Sequence, residues 1–453
     1  MAASRSDRRR PAAPPARPQG RPGAPLAAES APPWMQDLLA ERAALEIEAI
    51  SRRMVKERLV VFFGRSTFSD NTKYVFLRAL ARGRDYDVVW ATPHRRLAQE
   101  LTLAGLPAFD LSADRDASLA VLLRAAVAVF CVNPLESTGG DHLLPAALDG
   151  AEKVQLWHGV SAKRLVLQLV GHLNVTLPSM RQPWELTSRA DLVLSTGEEL
   201  DRFWRAVFGT RQLVRAGLPR NEVLLREPRP EELTGAMMPS DVMTALTSPA
   251  RRKILLMPTW QRHADPALTA DAIRGIGGIG AEFRAWGAAR GVDIFVKQHP
   301  VYAGQAGPAA PTGATGGTGP GLYVIDAGVD VYPWLRCFDA LVTDYSSVMF
   351  DFLLTGRPVG RLDVDRGRTF EPDFSLVPGG VGFAHTLTPG AIGPALDAMI
   401  DRAGLDGDPL APARAAAATR LLGTRPASAC DDVLDVVDDL VERRTAQDWL
   451  VVN

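Results

Sequence analysis

Short apolar runs of strand type recur along this chain with helical patterns between them, and that alternation restricts the fold more than any other feature. LVVFFG starts at Leu59, DVVWAT at Asp87, VAVFCV at Val127, KVQLWHG at Lys153 and DLVLST at Asp191, with helices predicted from Lys73 and near Ala98. Such an alternation predicts a parallel, doubly wound sheet covered by helices on both faces. A second series follows, with QLVRAG from Gln212, KILLMP from Lys253, VDIFVKQHP from Val292, LYVIDA from Leu322, ALVTD from Ala340 and RPVGRLD from Arg357. The reading is an α/β chain of two Rossmann-like halves.

A length of 453 residues accommodates two or three domains, each with its own core. The predicted divisions are a basic Pro/Ala/Arg-rich tail over 1–34, a first Rossmann-like domain over 35–208, a second over 209–425 and an acidic helix over 426–453. Hydrophobic residues at 46% and charged residues at 23% are the proportions of a soluble globular protein. The net charge of -1 hides an asymmetry, because residues 1–33 carry six Arg against Asp7 and Glu29. That tail cannot bury enough apolar surface to fold, and it lacks the apolar core of a secretory signal. Its arginines give it the charge for a weak peripheral contact with anionic lipid at the inner face of the cell membrane. No aromatic residue interleaves them, so nucleic acid is not an expected partner.

The longest apolar stretch, Leu119 to Val132, is interrupted by Arg124 and reads as helix then strand, so no membrane span is predicted. Cys131, Cys337 and Cys430 are dispersed, which suits a reducing, cytoplasmic compartment and neither a disulfide framework nor a zinc site. Gly275, Gly277 and Gly280 match GxGxxG without the preceding strand that a dinucleotide site needs, and are read as a loop. Gly304 to Gly321 reads as a surface loop. Near the C-terminus, Asp431, Asp432, Asp435, Asp438 and Asp439 surround Val433, Leu434, Val437 and Leu440, predicting a helix with one wet acidic face.

Chemistry concentrates in Ala340 to Val359, ALVTDYSSVMFDFLLTGRPV. A strand ends at Thr343, Ser346 is predicted to cap the apolar helix that runs to Leu354, and Gly356 and Pro358 stop it. Uncommitted amides beside the hydroxyls of Ser346 and Ser347 make a point that suits phosphate. His158 follows the strand ending at Trp157, and His299 follows the strand Asp293 to Lys297, so each half carries one histidine at the sheet edge where α/β ligands bind. An imidazole there has the pKa of a general base for a hydroxyl nucleophile. Lys163, Arg220, Arg262 and Lys297 fall at the same strand ends, and with the two serines they suit a pyrophosphate. No carboxylate pair has metal spacing, so neither a metal nor a cofactor is expected.

The ordered motifs QLWHG at 155, GLPRNEVLL at 217, MPTW at 257, KQHP at 297 and TDYSSVMFDFLLTGRPV at 343 resemble the CDP-glycerol glycerophosphotransferase family, which makes teichoic acids and related capsule polymers. SDNTKYVFLRAL from Ser69 is similar to that family's acceptor-side domain, so the resemblance covers roughly 55–400. It implies a GT-B fold, in which two Rossmann-like domains face one another across a cleft and the C-terminal one holds the nucleotide. It implies that His158 deprotonates an acceptor hydroxyl on a cell-envelope glycan or lipid-linked polymer, which attacks the β-phosphate of a CDP-linked donor and expels CMP. His299, Ser346 and Ser347 would hold the donor phosphates, with Arg220, Lys297 and Asp344 shaping that pocket. Asn71, Lys163 and Arg262 would contact acceptor or phosphate. Val160, Ser161 and Ala162 stand where the family commonly has Thr-Pro-Leu, and Glu222 stands where Asp is usual. The alternatives are a GT-B glycosyltransferase with a nucleotide-sugar donor and a non-catalytic binding scaffold.

Overall fold

A computed structural model describes residues 32–162, 190–210, 212–259, 277–297, 321–363, 374–388, 390–400, 408–423 and 425–451. The apolar runs form two all-parallel sheets. The first contains β1 (Glu57–Phe63), β2 (Asp87–Thr92), β3 (Ala108–Asp110), β4 (Ala125–Phe130), β5 (Glu152–Gln155), β6 (Leu192–Ser195) and β7 (Gln212–Arg215), in the order β3-β2-β1-β4-β5-β6-β7. The second contains β8 (Arg252–Leu256), β9 (Val292–Lys297), β10 (Leu322–Ile325), β11 (Ala340–Thr343), β12 (Val359–Leu362) and β13 (His385–Leu387), in the order β10-β9-β8-β11-β12-β13. Every residue of β4 and β9 is buried, as expected of central parallel strands covered on both faces.

In each sheet the strand order reverses once, between β1 and β4 in the first and between β8 and β11 in the second. Crevices at such reversals are where open α/β sheets take their ligands. The carboxyl ends of β4 and β5 therefore present Cys131 and His158, and those of β8 and β11 present Thr259 and Asp344 to Ser347.

Three sequence readings change. QLVRAG, expected in the second half, joins the first: Leu192 to Ser195 pair in register with Gln212 to Arg215, so β7 closes the first sheet, beyond the division expected at 208. Gly277 and Gly280 start a helix, Gly277–Arg290, instead of lying in a loop, while Gly275 is outside the described residues. The first two helices are α1 (Pro33–Arg53) and α2 (Asp70–Arg82), and the acidic C-terminal helix, Ala429–Val451, returns to the first half and lies against α2 and β4. Val433, Leu434, Val437 and Leu440 are buried there. Its acidic face meets arginines: Arg78 binds Asp431 through two bonds of 2.8 and 2.9 Å, Arg82 reaches Asp435 at 3.1 Å, and Arg84 reaches Asp438 at 2.6 Å. Tyr86 also donates to Asp438 at 2.8 Å. Sequence separation above 340 residues hid this pairing.

Among the described residues no helix is long and apolar enough to cross a membrane. The Gly304 to Gly321 segment lies outside the described residues except at its last position.

Docking of the C-terminal helix should depend on its apolar stripe more than on its ion pairs, because Asp431 is 39% exposed and water screens it. Leu434→Ala is expected to cost about 2–5 kcal/mol in a denaturant titration. Asp431→Ala is expected to cost about 1 kcal/mol or less. The reverse order would show that the charges hold the helix.

Candidate active site

In the second half the loop after β11 is tied to the loop after β8. Asp344 accepts from the Thr259 amide at 3.0 and 3.1 Å, from the Thr259 hydroxyl at 2.5 Å and from the Tyr345 amide at 2.6 Å. The Thr343 hydroxyl donates to the Met257 carbonyl at 2.6 Å. Asp344 thus clamps two loops across the strand-order reversal, and its oxygens are spent within the protein. The helix that follows is Val348–Asp351, continued as a 3-10 turn, Phe352–Thr355, and closed by Gly356 in the left-handed conformation at φ 69°. Ser347 occupies the N-cap position expected for Ser346. It makes no capping bond, because its hydroxyl donates instead to the His158 carbonyl at 3.1 Å. Ser346 is half-buried, and among the described residues its hydroxyl has no hydrogen bond.

In the first half, the backbone turns sharply at the end of β5. Gln155 donates to the Val132 carbonyl at 2.8 Å and accepts from the Trp157 amide at 2.9 Å. Trp157 has φ 53°, a conformation that an aromatic residue holds only when its surroundings enforce it. Asn71 supplies part of that enforcement by donating to the Trp157 carbonyl at 2.8 Å. The turn places the His158 Nδ1 atom 3.3 Å from the carbonyl of Cys131 at the end of β4. A carbonyl only accepts, so this contact puts the proton on Nδ1 and makes Nε2 the basic nitrogen.

The two halves meet at one guanidinium. Arg220 donates to Asp70 at 2.7 Å, to Asp351 at 2.6 Å and to the His158 carbonyl at 3.0 Å, and lies over the Tyr332 ring at 4.6 Å. Asp351 also accepts from Asn221 at 3.0 Å and Tyr332 at 2.6 Å. Burial opposes the Arg220 charge, but Asp351, Tyr332 and Asp70 outweigh it and hold its pKa well above the ordinary value. Gly159 has φ 110°, and a Cβ there would stand 2.6 Å from the Arg220 Nη2 atom, so this close approach needs glycine.

His158, Asn71, Arg220, Asp344, Ser346 and Ser347 are therefore linked through one set of contacts and adjoining loops. Arg220 and Asp344 enter it as internal braces. Lys297 lies apart from them, buried at the end of β9, with its ammonium donating to the Ala327 carbonyl at 2.9 Å. Burial pushes its pKa down to about 8, with Asp326 and Asp330 opposing. Lys163, Arg262 and His299 lie outside the described residues. Asp351, Tyr332, Asp70 and Thr259 were not singled out from sequence. Asp351 alone carried a signal, as one carboxylate within the apolar run VMFDFLL, since a buried carboxylate demands a partner.

The sequence model of the family described as CDP-Glycerol:Poly(glycerophosphate) glycerophosphotransferase matches residues 46–367. The chain belongs to this family. A teichoic acid poly(glycerol phosphate) polymerase of Staphylococcus epidermidis is 24% identical over 220 residues, 45% of this chain and 27% of that relative. The chain thus spans about a quarter of the length of that curated relative. Among solved structures, the wall teichoic acid polymerase TagF, in a form soaked with CDPG, superposes with a TM-score of 0.58 at 17% identity over 91% of this chain and 96% of that one. S. aureus MnaA with UDP gives 0.52 at 13% identity, over 86% and 97% of the two chains. The fold shared by the family member and these structures is GT-B, two Rossmann-like domains across a cleft.

Arg220→Met should destabilise the protein by about 3–5 kcal/mol, since it strands the buried Asp351 and the half-buried Asp70. Equilibrium unfolding would check this, and a loss below about 1 kcal/mol would contradict a buried brace. Lys297 should make stability depend on pH: between about 8 and 10.5 the unfolded lysine keeps a proton that the folded one has lost, so stability rises with pH across that window. The denaturant midpoint of the native chain is expected to rise across that window relative to that of Lys297→Met, the buried thiols of Cys131 and Cys430, held protonated by burial, lowering both alike.

Proposed function

We propose that this protein transfers glycerol phosphate from CDP-glycerol to a hydroxyl of a glycan or lipid-linked acceptor and releases CMP. The observation that carries the reading is the meeting of the two sheet edges at His158, within a chain matched by the glycerophosphotransferase family over residues 46–367. TagF, whose crystals were soaked with CDPG, and the S. epidermidis poly(glycerol phosphate) polymerase support the choice of donor and of a polymer-type acceptor.

In this reading the acceptor hydroxyl attacks the β-phosphorus of the donor. A new oxygen–phosphorus bond forms, the bond from that phosphorus to the bridging oxygen breaks, and the bridging oxygen leaves on CMP. The acceptor proton passes to His158 Nε2, the nitrogen left basic by the contact of Nδ1 with the Cys131 carbonyl. Proton removal of this kind contributes about 10²–10⁴-fold to rate. The Ser346 hydroxyl and the Val348 amide bind the donor phosphates, since the Met349 and Phe350 amides are taken by the Ser346 and Ser347 carbonyls, with His299, Lys163 and Arg262 as further contacts. Ser347, Arg220 and Asp344 hold that geometry without touching the phosphate. We place the reaction in the cytoplasm, where nucleotide-activated donors are available, with the basic tail as a peripheral contact to the membrane face.

Purified protein with CDP-glycerol and a candidate acceptor should release CMP and yield a product heavier by glycerol phosphate. His158→Ala is expected to lower CMP release by about 10²-fold or more. Equal CMP release from the native chain and this variant would sink the base assignment. Turnover of a UDP-sugar with none of CDP-glycerol would favour glycosyl transfer.

A further inference from the structure

A cavity of about 650 Å³ opens at the amino-terminal edge of the second sheet, opposite the edge that carries Ser346. Its wall comes from the start of β8 and from the turns that precede β11 and β12. The length of β8 places it about 15 Å from the candidate active site. Arg251, Arg252, Lys253, Arg336 and Arg357 line it, and Asp339 is the carboxylate among the lining residues.

The charges in this wall do not balance internally. Asp339 accepts from the Lys253 amide at 2.8 Å. Arg251 pairs with Asp293 at 2.7 Å, and Arg336 reaches Glu227, a residue 84% exposed, at 2.9 Å. Lys253 is only 7% exposed, yet its ammonium donates to a carbonyl, that of Arg251, at 3.2 Å. Arg357 donates to the carbonyls of Arg336 and Phe338, and Arg252 to that of Ile400. Among the described residues Lys253, Arg252 and Arg357 form no ion pair. Carbonyl dipoles satisfy their N–H groups without cancelling their charge, which is costly where water is partly excluded. Cys337 in the same wall senses that field: burial pushes its thiol pKa up, and the charges of Arg336, Arg357 and Lys253 oppose the shift.

We propose that this cavity binds a phosphoryl oxyanion, as free phosphate or as a phosphodiester group of a polymer chain. Clustered guanidinium groups with one buried ammonium match the tetrahedral oxygens of such a group better than a planar carboxylate of equal charge density. The site lies outside the candidate active site, and its occupancy needs nothing from the transfer reaction proposed above. Failure of one therefore leaves the other standing.

Cys337 supplies a local readout, because Cys131 and Cys430 are buried. The full chain is alkylated with iodoacetamide and Cys337 modification followed by mass spectrometry, in inorganic phosphate, in oligo(glycerol phosphate), and in sodium chloride of equal ionic strength. A bound anion slows alkylation by one plus the ratio of ligand to dissociation constant, about fivefold at four times that constant. Slowing by both phosphoryl probes assigns a general oxyanion site, and slowing by the oligomer alone assigns a polymer site. Arg336→Gln, whose partner is solvent-exposed, and Lys253→Met should each lower the chloride rate, because a charge that holds the Cys337 thiol pKa down is removed, and, measured against each variant's own chloride rate, raise the half-protecting concentration about tenfold. Slowing by neither probe beyond chloride, or full protection retained in both folded variants, overturns the proposal.

Discussion

A guanidinium buried between two sheets governs how the rest of this molecule can be arranged. Arg220 sits on the segment that leaves the first sheet, and its two carboxylate partners come one from each half, Asp70 at the start of α2 and Asp351 in the helix after β11. Removing a charge from water costs several kcal/mol, recovered only when good geometry and further hydrogen bonds surround it. Asn221, Tyr332 and the His158 carbonyl provide those bonds. The halves must therefore close to one relative position for the charge to be satisfied. Because the same guanidinium holds the His158 backbone, the position of the candidate base follows from the position of the halves.

A second buried pair repeats the constraint farther along α2. Lys73 donates to Asp330 at 2.7 Å and to the carbonyls of Glu232 and Thr234 at 2.8 and 2.9 Å, and Tyr74 donates to the same Asp330 at 2.8 Å. Hydrophobic contact is also continuous across the junction, with Val60, Phe76, Phe295 and Phe350 in one cluster. Opening the cleft by rotation would break two buried ion pairs and expose apolar surface together. Substrate entry is more easily served by movement of individual loops than by separation of the halves.

Sequence patterning exposed what depends on local periodicity. The apolar runs at Leu59, Val127, Lys253 and Ala340 became central strands because parallel strands are buried on both faces and leave an unbroken apolar record. His158 and Ser346 were legible because they follow such strands, and a strand end fixes an edge. What stayed hidden depends on partners far away in the chain. Nothing near Asp431 announces Arg78, and nothing near Arg220 shows that its charge is consumed by Asp70 and Asp351 instead of offered to a ligand. The exchange of roles between Ser346 and Ser347 has the same origin: a carbonyl 189 residues away in sequence takes the hydroxyl that would have capped the helix.

The loop after His158, where the sequence leaves the family's usual pattern, becomes interpretable on the same terms. Val160 is 1% exposed and Ala162 2% exposed, and both belong to the apolar cluster that runs across the two halves. Replacing a usual Thr and Leu at those positions therefore changes how the loop is seated in the core, a matter of volume and hydroxyl satisfaction. Ser161, half-buried between them, is the departure that stands nearer the surface. The His158 carbonyl is fixed independently by Arg220 and Ser347, and its ring by the Cys131 carbonyl, and none of these contacts passes through this loop. The His158 ring can accordingly keep its place while the adjacent surface varies, so in the proposed reaction the departures bear on which acceptor is admitted more than on the proton transfer.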